Sequence, residues 1–331
     1  MKALKTSSKI SMNLVFASAA KQSSFKRRDC FTTFAITNLR RFIESLSTNG
    51  SIYDLEKHPF ALSPNKIRTL DLRSVHDGAY HQLTFQSVLS PHMQIEVGQG
   101  THTGLRRNHN EDTFYASAEN ALWIVADGMG GLESGEVAST MARDRVVEEV
   151  ASGTPLVKAV ELAHRQLLDH IQATDPSKRM GTTFVAIKVG PENNFEIAWV
   201  GDSRIYRVDE SVLKQISRDH SYVQELVERN LITPEEARVS PHKNLVTQAL
   251  GAVSAEELKV EFATGQLLPG TQILLCTDGL TGDVEDDAIC DILNDETRAQ
   301  DAVDVLIQAA LNGGGNDNIT VVLIRATANP A

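Results

Sequence analysis

Alternating apolar and polar segments organise the chain from Met93 onward. Short apolar runs that end at glycine or polar residues predict β-strands within residues 95–104, 121–128, 181–189, 195–208, 271–280 and 318–326. Apolar residues at helical spacing predict helices within residues 135–152, 155–173 and 298–314, and a helix–turn–helix within residues 221–239. Because two long helices lie together between groups of strands, this order predicts an α+β fold with sheets and helices in separate layers.

Residues 1–92 lack this periodicity. They predict a basic N-terminal extension that is disordered or loosely packed, because Ser, Thr, Lys and Arg mix with scattered apolar residues. Seven basic residues precede the first acid, Asp29, which has some character of an organelle transit peptide, and residues 10–20 form a short, interrupted apolar run like that of a poor signal peptide. A natural translation start at Met93 is a further alternative.

The charge distribution limits the classes of ligand. Residues 1–92 hold 13 Lys and Arg against 6 Asp and Glu, a net charge of +7, and the remainder of the chain has a net charge of −18. An acidic body argues against nucleic acid as the main ligand and suits a protein that binds divalent cations. Three widely spaced cysteines indicate reduced thiols, and no apolar run is long enough for a membrane-spanning helix.

Several of the predicted strands end or begin at an aspartate. Asp127 follows "WIVA", Asp202 follows "AWVG", Asp278 follows "LLCT", and Asp317 precedes "NITVVLI". One Asp-Gly after a strand is a common turn. Four such acids, if they converge, would repel one another unless cations neutralise them, and Mg²⁺ or Mn²⁺ prefers such oxygen ligands.

At this point the motifs as a set resemble those of the metal-dependent Ser/Thr protein phosphatases, the PPM (protein phosphatase 2C) family, in its compact bacterial form. They lie in the family's order between Ile95 and Arg325 and are as follows: "GLRRNHNED" (104–112), "VADGMGGLESGEVAS" (125–139), "MGTTFVAI" (180–187), "VGDSRIYRV" (200–208), "SRDHSYVQELVERNLITPEEA" (217–237), "LLCTDGL" (274–280) and "GGNDNITVVL" (314–323). The resemblance implies a phosphatase domain over residues 93–331. Its implied fold is a four-layer α-β-β-α sandwich of two antiparallel sheets flanked by helices, with a metal cleft at one edge.

The resemblance also implies a set of metal ligands. Asp127 would bridge two Mn²⁺ or Mg²⁺ ions, and the carbonyl of Gly128 would bind one of them. Asp278 and Asp317 would complete the shell of the other ion. Asp202 would form a weaker third site with Asp278.

The loop before the second strand would serve the substrate and the metal-bound water. By resemblance, Glu111 and Asp112 hold water molecules near the second metal. Arg107 matches the family's phosphate-binding arginine, and its neighbour Arg106 fits the spacing less well. An arginine suits this role because its planar donors bind phosphate oxygens in pairs.

The resemblance implies hydrolysis of phosphoserine and phosphothreonine, and a pair of metal ions explains how this reaction would proceed. Two ions about 3.5–4 Å apart lower the pKa of a bridging water, and the hydroxide attacks phosphorus in line with the leaving serine or threonine oxygen. By resemblance, Met129 stands where many animal members of the family carry a histidine, so the group that protonates the leaving oxygen is not identified. His109 and His220 are minor candidates, and Thr182 and Thr183 are expected to satisfy strand hydrogen bonds only.

Residues 218–243 match the family's flap, a mobile helical lobe that gates the cleft. Substrate selection is expected there, although a plain surface hairpin would show the same pattern.

The favoured function is a cytoplasmic, monomeric enzyme that acts on phosphoproteins and opposes a cognate Ser/Thr kinase. The alternatives are a phosphatase of one regulatory partner such as an anti-sigma-factor antagonist, a hydrolase of small phosphoesters, and a catalytically dead metal-binding scaffold.

Overall fold

Two antiparallel β-sheets form the centre of the part of the chain that the computed structural model describes, residues 93–130, 134–177 and 179–328. The predicted extension, residues 1–92, lies outside these described residues. The strands are β1 (Met93–His102), β2 (Asp112–Ser117), β3 (Leu122–Met129), β4 (Gly181–Thr182), β5 (Phe184–Val189), β6 (Asn194–Val200), β7 (Arg204–Asp209), β8 (Val212–Gln215), β9 (Glu261–Gln266), β10 (Gln272–Cys276) and β11 (Ile319–Ala328).

The five-stranded sheet pairs the first strand of the described residues with the last, whereas the other sheet is built from strands between residues 112 and 266. One has five strands in the order β1-β11-β10-β7-β8, and the other has the order β2-β3-β5-β6-β9, with the short β4 paired to the end of β3. All of these pairings are antiparallel.

The described residues form seven α-helices, five of which pack on the outer faces of the two sheets. They are α1 (Ser134–Ala151), α2 (Leu156–Thr174), α3 (Tyr222–Glu228), α4 (Pro234–Arg238), α5 (Asp278–Thr281), α6 (Asp286–Asp295) and α7 (Ala299–Gly313), with a 3₁₀ turn at Pro191–Asn193. Helices α1 and α2 form an apolar cluster with β3, β5 and β6, and α5, α6 and α7 form another with β7, β10 and β11. Within the described residues, no helix has the length and apolar character needed to cross a membrane.

The alternation of side chains along β3 shows how one strand serves two cores. Trp123 and Val125 lie between the sheets with residues of β10 and β11. Leu122, Ile124 and Ala126 point the other way, into the cluster with α1 and α2. Successive strand residues face opposite sides, so a continuous apolar run is what a strand buried on both faces requires. The four-layer α-β-β-α fold class is therefore confirmed.

Local boundaries differ from the sequence predictions in three places. Asp278 and Gly279 were assigned to the turn that closes a strand, but they begin the one-turn helix α5, while β10 ends at Cys276. Helix α6 and the edge strands β2, β8 and β9 have no counterpart in the sequence predictions, and Asp112, predicted in a loop, begins β2. The strand predicted within residues 195–208 divides into β6 and β7, which lie in different sheets.

Candidate functional site

The sheet registers bring the predicted acids to one edge of the sandwich. The start of β2 lies beside the end of β3, and the end of β10 lies beside the start of both β7 and β11. The end of β1 pairs with the start of β11, so the loop that follows β1 begins at this edge too. Antiparallel pairing therefore gathers side chains that are far apart in the sequence.

Asp127 lies at the centre of the acidic group. Its cross-strand partner is Asp112, which is almost fully buried. Burial raises the pKa of Asp127 well above its usual value, and the negative charges of Asp112, Asp278, Asp202 and Asp317 raise it further. Since each of these four carboxylates acts on Asp127, the structure places all five in one electrostatic neighbourhood.

Burial also dominates the acids next to Asp127. It raises the pKa of Asp112 to about 7 and that of Asp278 to about 6. The pKa of Asp202 is raised well above its ordinary value by burial and by its neighbours Asp278 and Asp219. A carboxylate held where ionisation is unfavourable is suited to receive a compensating cation.

Arg107 reaches the acidic group from the loop between β1 and β2. Its guanidinium donates a 2.7 Å hydrogen bond to Oδ2 of Asp317, and this ion pair raises the pKa of Arg107 above its ordinary value. The negative charges of Asp127 and Asp278 contribute as well. The side chain of Arg107 is 54% exposed, so its planar donors face both the acids and the solvent.

The backbone around Gly128 and Glu111 is closely packed. The amide of Gly128 donates to the carbonyl of Glu111 at 3.1 Å, and Ser139 Oγ donates to the same carbonyl at 2.7 Å. A Cβ atom at position 128 would lie 2.1 Å from the carbonyl oxygen of Gly135 and 2.6 Å from that of Glu111. Only glycine fits here, and the end of β3 is thereby held against the loop before β2 and the first turn of α1.

Two threonines hold the backbone of Asp127. Thr183 Oγ1 accepts a hydrogen bond from the Asp127 amide at 3.1 Å, and its own amide donates to the Asp127 carbonyl at 2.9 Å. Thr182 Oγ1 donates to that carbonyl at 2.8 Å. Both hydroxyls are engaged with the backbone, as their sequence interpretation predicted.

The donor set fits hard divalent cations. Oδ1 of Asp112 and Oδ1 of Asp278 are buried and have no hydrogen-bond partner, and a carboxylate oxygen in that position needs a cation or a proton. All the candidate ligands are oxygens, the type that Mg²⁺ and Mn²⁺ prefer. Among the described residues, however, no group of three His, Cys, Asp or Glu side chains lies close enough together to hold a single metal ion. The acids are neighbours, and the carboxylate of Asp317 accepts a hydrogen bond from Arg107.

The comparisons with known proteins agree with this site. A family profile described as "Protein phosphatase 2C" matches residues 99–313. The chain belongs to the protein phosphatase 2C family. It is 36% identical over 240 residues to the serine/threonine phosphatase Stp of Listeria welshimeri, an alignment that covers 68% of this chain and 93% of the relative.

Solved protein phosphatase 2C structures share the fold. The serine/threonine phosphatase PstP/Ppp of Mycobacterium tuberculosis matches with a TM-score of 0.64 and 33% identity, over 70% of this chain and 98% of that structure. The catalytic domain of PstP in complex with two manganese ions matches with a TM-score of 0.63 and 32% identity, over 71% and 99% of the two chains. The predicted family is confirmed, and so is the predicted class of enzyme, a Ser/Thr phosphatase.

Two residues of this protein phosphatase 2C site were missed by sequence reasoning. Thr277 is fully buried, and its Oγ1 donates to Oδ2 of Asp112 at 2.9 Å while accepting from the Thr320 amide at 3.0 Å. Asn318, also buried, accepts a 2.8 Å hydrogen bond from the Glu111 amide. Both directly neighbour predicted ligands, Asp278 and Asp317, in the chain, which is the signal that could have identified them.

The two histidines have structural contacts. Nδ1 of His220 accepts from the Gly201 amide at 3.2 Å, and the His220 amide donates to the Gly201 carbonyl at 2.9 Å. Burial lowers the pKa of His220. His109 is exposed, and its carbonyl accepts a hydrogen bond from Asn318.

Proposed function

We propose that this protein phosphatase 2C enzyme removes phosphate from phosphoserine and phosphothreonine in proteins and opposes a Ser/Thr kinase. One arrangement carries the proposal: antiparallel pairing brings the end of β3, the start of β2 and the end of β10 to one edge of the sandwich, where the carboxylates of Asp112, Asp202, Asp278 and Asp317 all act on Asp127. Arg107, an anion-binding side chain, lies at the same place and bonds to Asp317. This combination of a cation site and an anion-binding group suits a phosphoryl transfer enzyme.

The cluster would hold its cations through specific groups. We assign Asp127, the Gly128 carbonyl, Asp278 and Asp317 to two Mn²⁺ or Mg²⁺ ions, and Asp202 with Asp278 to a weaker third. Asp278 offers an unpartnered buried oxygen for this purpose. When bound, such a pair activates water and neutralises charge that develops on the phosphoryl oxygens.

The protein's own groups position the substrate and the ligands. Arg107 would hold two phosphoryl oxygens with its planar donors, which requires it to exchange its present contact with Asp317. Glu111 and Asp112 would orient water, and Thr277 holds Asp112 in place through its hydroxyl. Thr182 and Thr183 fix Asp127 through its backbone, so its carboxylate projects from the end of a rigid strand.

The test is dephosphorylation of phosphothreonine peptides in the presence of Mn²⁺. Asp127→Ala is expected to lower turnover by at least about 100-fold, since even indirect partners of metal ligands contribute 10- to 100-fold. Asp169→Ala, which removes an exposed acid of α2, serves as the control and should retain full turnover. Full activity of the purified enzyme in excess EDTA would contradict the metal assignment, and hydrolysis of aryl phosphates without any of phosphopeptides would favour a small-molecule substrate.

A further inference from the structure

One buried side chain, Asn318, connects the loop of Arg107 to the strand that follows Asp317. Its Nδ2 group donates to the carbonyl of Thr103 and to the carbonyl of His109, both at 2.9 Å. These acceptors lie on either side of Arg107 in the chain. The side-chain amide of Asn318 therefore holds both ends of the turn that carries the Arg107 guanidinium.

The other polar atoms of Asn318 are also used. Its Oδ1 accepts from the Glu111 amide at 2.8 Å, and its backbone amide donates to Oδ1 of Asp317 at 2.8 Å. Asn318 is only 5% exposed, so water does not compete for these contacts. The partners of this side chain are two acceptor carbonyls and one donor N–H, and they specify an amide, because neither a carboxylate nor an aliphatic residue can supply both a donor and an acceptor.

Backbone contacts also attach the Arg107 turn to the loop of Asp317. The Leu105 amide donates to the Gly315 carbonyl at 2.7 Å. A Cβ at Gly104, which has a φ of +79°, would lie 2.1 Å from the carbonyl oxygen of Asp317. The Arg107 turn is thus attached to the loop of Asp317 at several points, and Asn318 supplies two of these attachments.

We infer that Asn318 is a positioning residue for phosphate binding, which acts by holding the Arg107 turn at a set place relative to the acidic cluster. The inference rests on the proposed function of Arg107 as the phosphate-binding group. Without the two Nδ2 contacts the exposed turn would sample other positions. Phosphate binding would then have to order the turn, and the entropy lost in doing so would weaken the affinity for phosphate.

The test measures binding of inorganic phosphate to the Mn²⁺-loaded enzyme by calorimetry, which does not depend on turnover. Asn318→Ala is expected to weaken phosphate binding by about tenfold, the value of one to two lost hydrogen bonds. In an Arg107→Ala background the same substitution should change affinity by less than about twofold, because its effect passes through the guanidinium. Equal effects in both backgrounds, or normal affinity of Asn318→Ala, would overturn the inference.

Asn316→Ala is the matched control. It removes an asparagine from the same loop whose side chain bonds to Asp283 and not to the Arg107 turn, so phosphate affinity should be unchanged. If Asn318→Ala does not fold, Asn318→Asp retains the shape and the acceptor for Glu111 but loses both donors, and Asn316→Asp controls for the added charge. The effect of Asn318→Asp on phosphate affinity would then be compared between the wild-type and Arg107→Ala backgrounds, with the same expected and contradicting results. Wild-type enzyme that binds phosphate but does not dephosphorylate peptides would count against the proposed substrate, and the role of Asn318 would still be decided by these affinities.

Discussion

Neighbouring arginines in the loop before β2 differ in what they contact. Arg107 bonds to Asp317 and is influenced by the charges of Asp127 and Asp278. Arg106 is exposed. Spacing along the chain favoured Arg107, and the structure places it at the acids, although its role in binding phosphate stays a prediction.

At this scale we expect Arg107→Ala to raise the KM for aryl phosphates by about 10- to 100-fold. Charge-assisted hydrogen bonds contribute about 1.5–3 kcal/mol, and 1.4 kcal/mol corresponds to a factor of ten. Arg107→Lys should recover only part of the loss, because an ammonium cannot form the paired planar contacts. The measurement is steady-state kinetics at saturating Mn²⁺, with Arg106→Ala as the control; a larger defect in the control would reverse the assignment.

Elements depend on contacts that a single segment does not reveal. The sequence predicts that Asp278 and Gly279 close a strand, yet they begin the helical turn α5, and Gly279 lies so close to the Asn318 carbonyl that a side chain would not fit. Helix α6 buries only Ile289 and Leu293, too few apolar positions to stand out in an acidic stretch. Strand β9 is a sheet edge with a polar, glycine-containing sequence, so it too lacked a clear pattern.

The junction between β3 and α1 provides a prediction for elements. Gly128→Ala should lower the thermal unfolding midpoint by several degrees and reduce activity, since overpacking costs about 1–3 kcal/mol. The added methyl would overlap the carbonyls of Gly135 and Glu111. Gly190→Ala is the control, because the nearest atom to its Cβ lies 3.6 Å away. Thermal unfolding monitored by circular dichroism would give the midpoints of both variants. Equal midpoints for Gly128→Ala and Gly190→Ala would contradict the prediction and show that the backbone at position 128 relaxes freely.

At the scale of the whole molecule, the buried carboxylates of the acidic group couple folding to pH. Asp112 and Asp278 ionise more readily in the unfolded chain than in the fold, where burial raises their pKa to about 7 and about 6. Between their ordinary value near 3.8 and these raised values, the folded state binds more protons than the unfolded state. Stability without metal must therefore fall as the pH rises through this range.

We expect the unfolding midpoint in EDTA to decrease between about pH 4 and pH 7, in accordance with that linkage. Mn²⁺ should restore stability most strongly at the upper end, because cations bind the ionised carboxylates. Asp112→Asn should flatten the pH dependence in EDTA, because it removes one of the groups that titrate. Thermal scans across this range would test the prediction, and a midpoint that rises with pH in EDTA would contradict it.

The sequence by itself determined the fold class, the family and the identity of the candidate ligands. Buried strands need apolar residues on both faces, and metal sites need particular oxygen donors, so both leave local signatures, as in the run from Trp123 to Gly128. Only the tertiary structure decided which groups support those ligands. Thr277 and Asn318 carry no local pattern of their own, and their roles arise from partners up to 215 positions away in the chain. Hydrogen bonds depend on distances and directions in space, and those are defined only once the two sheets have packed together.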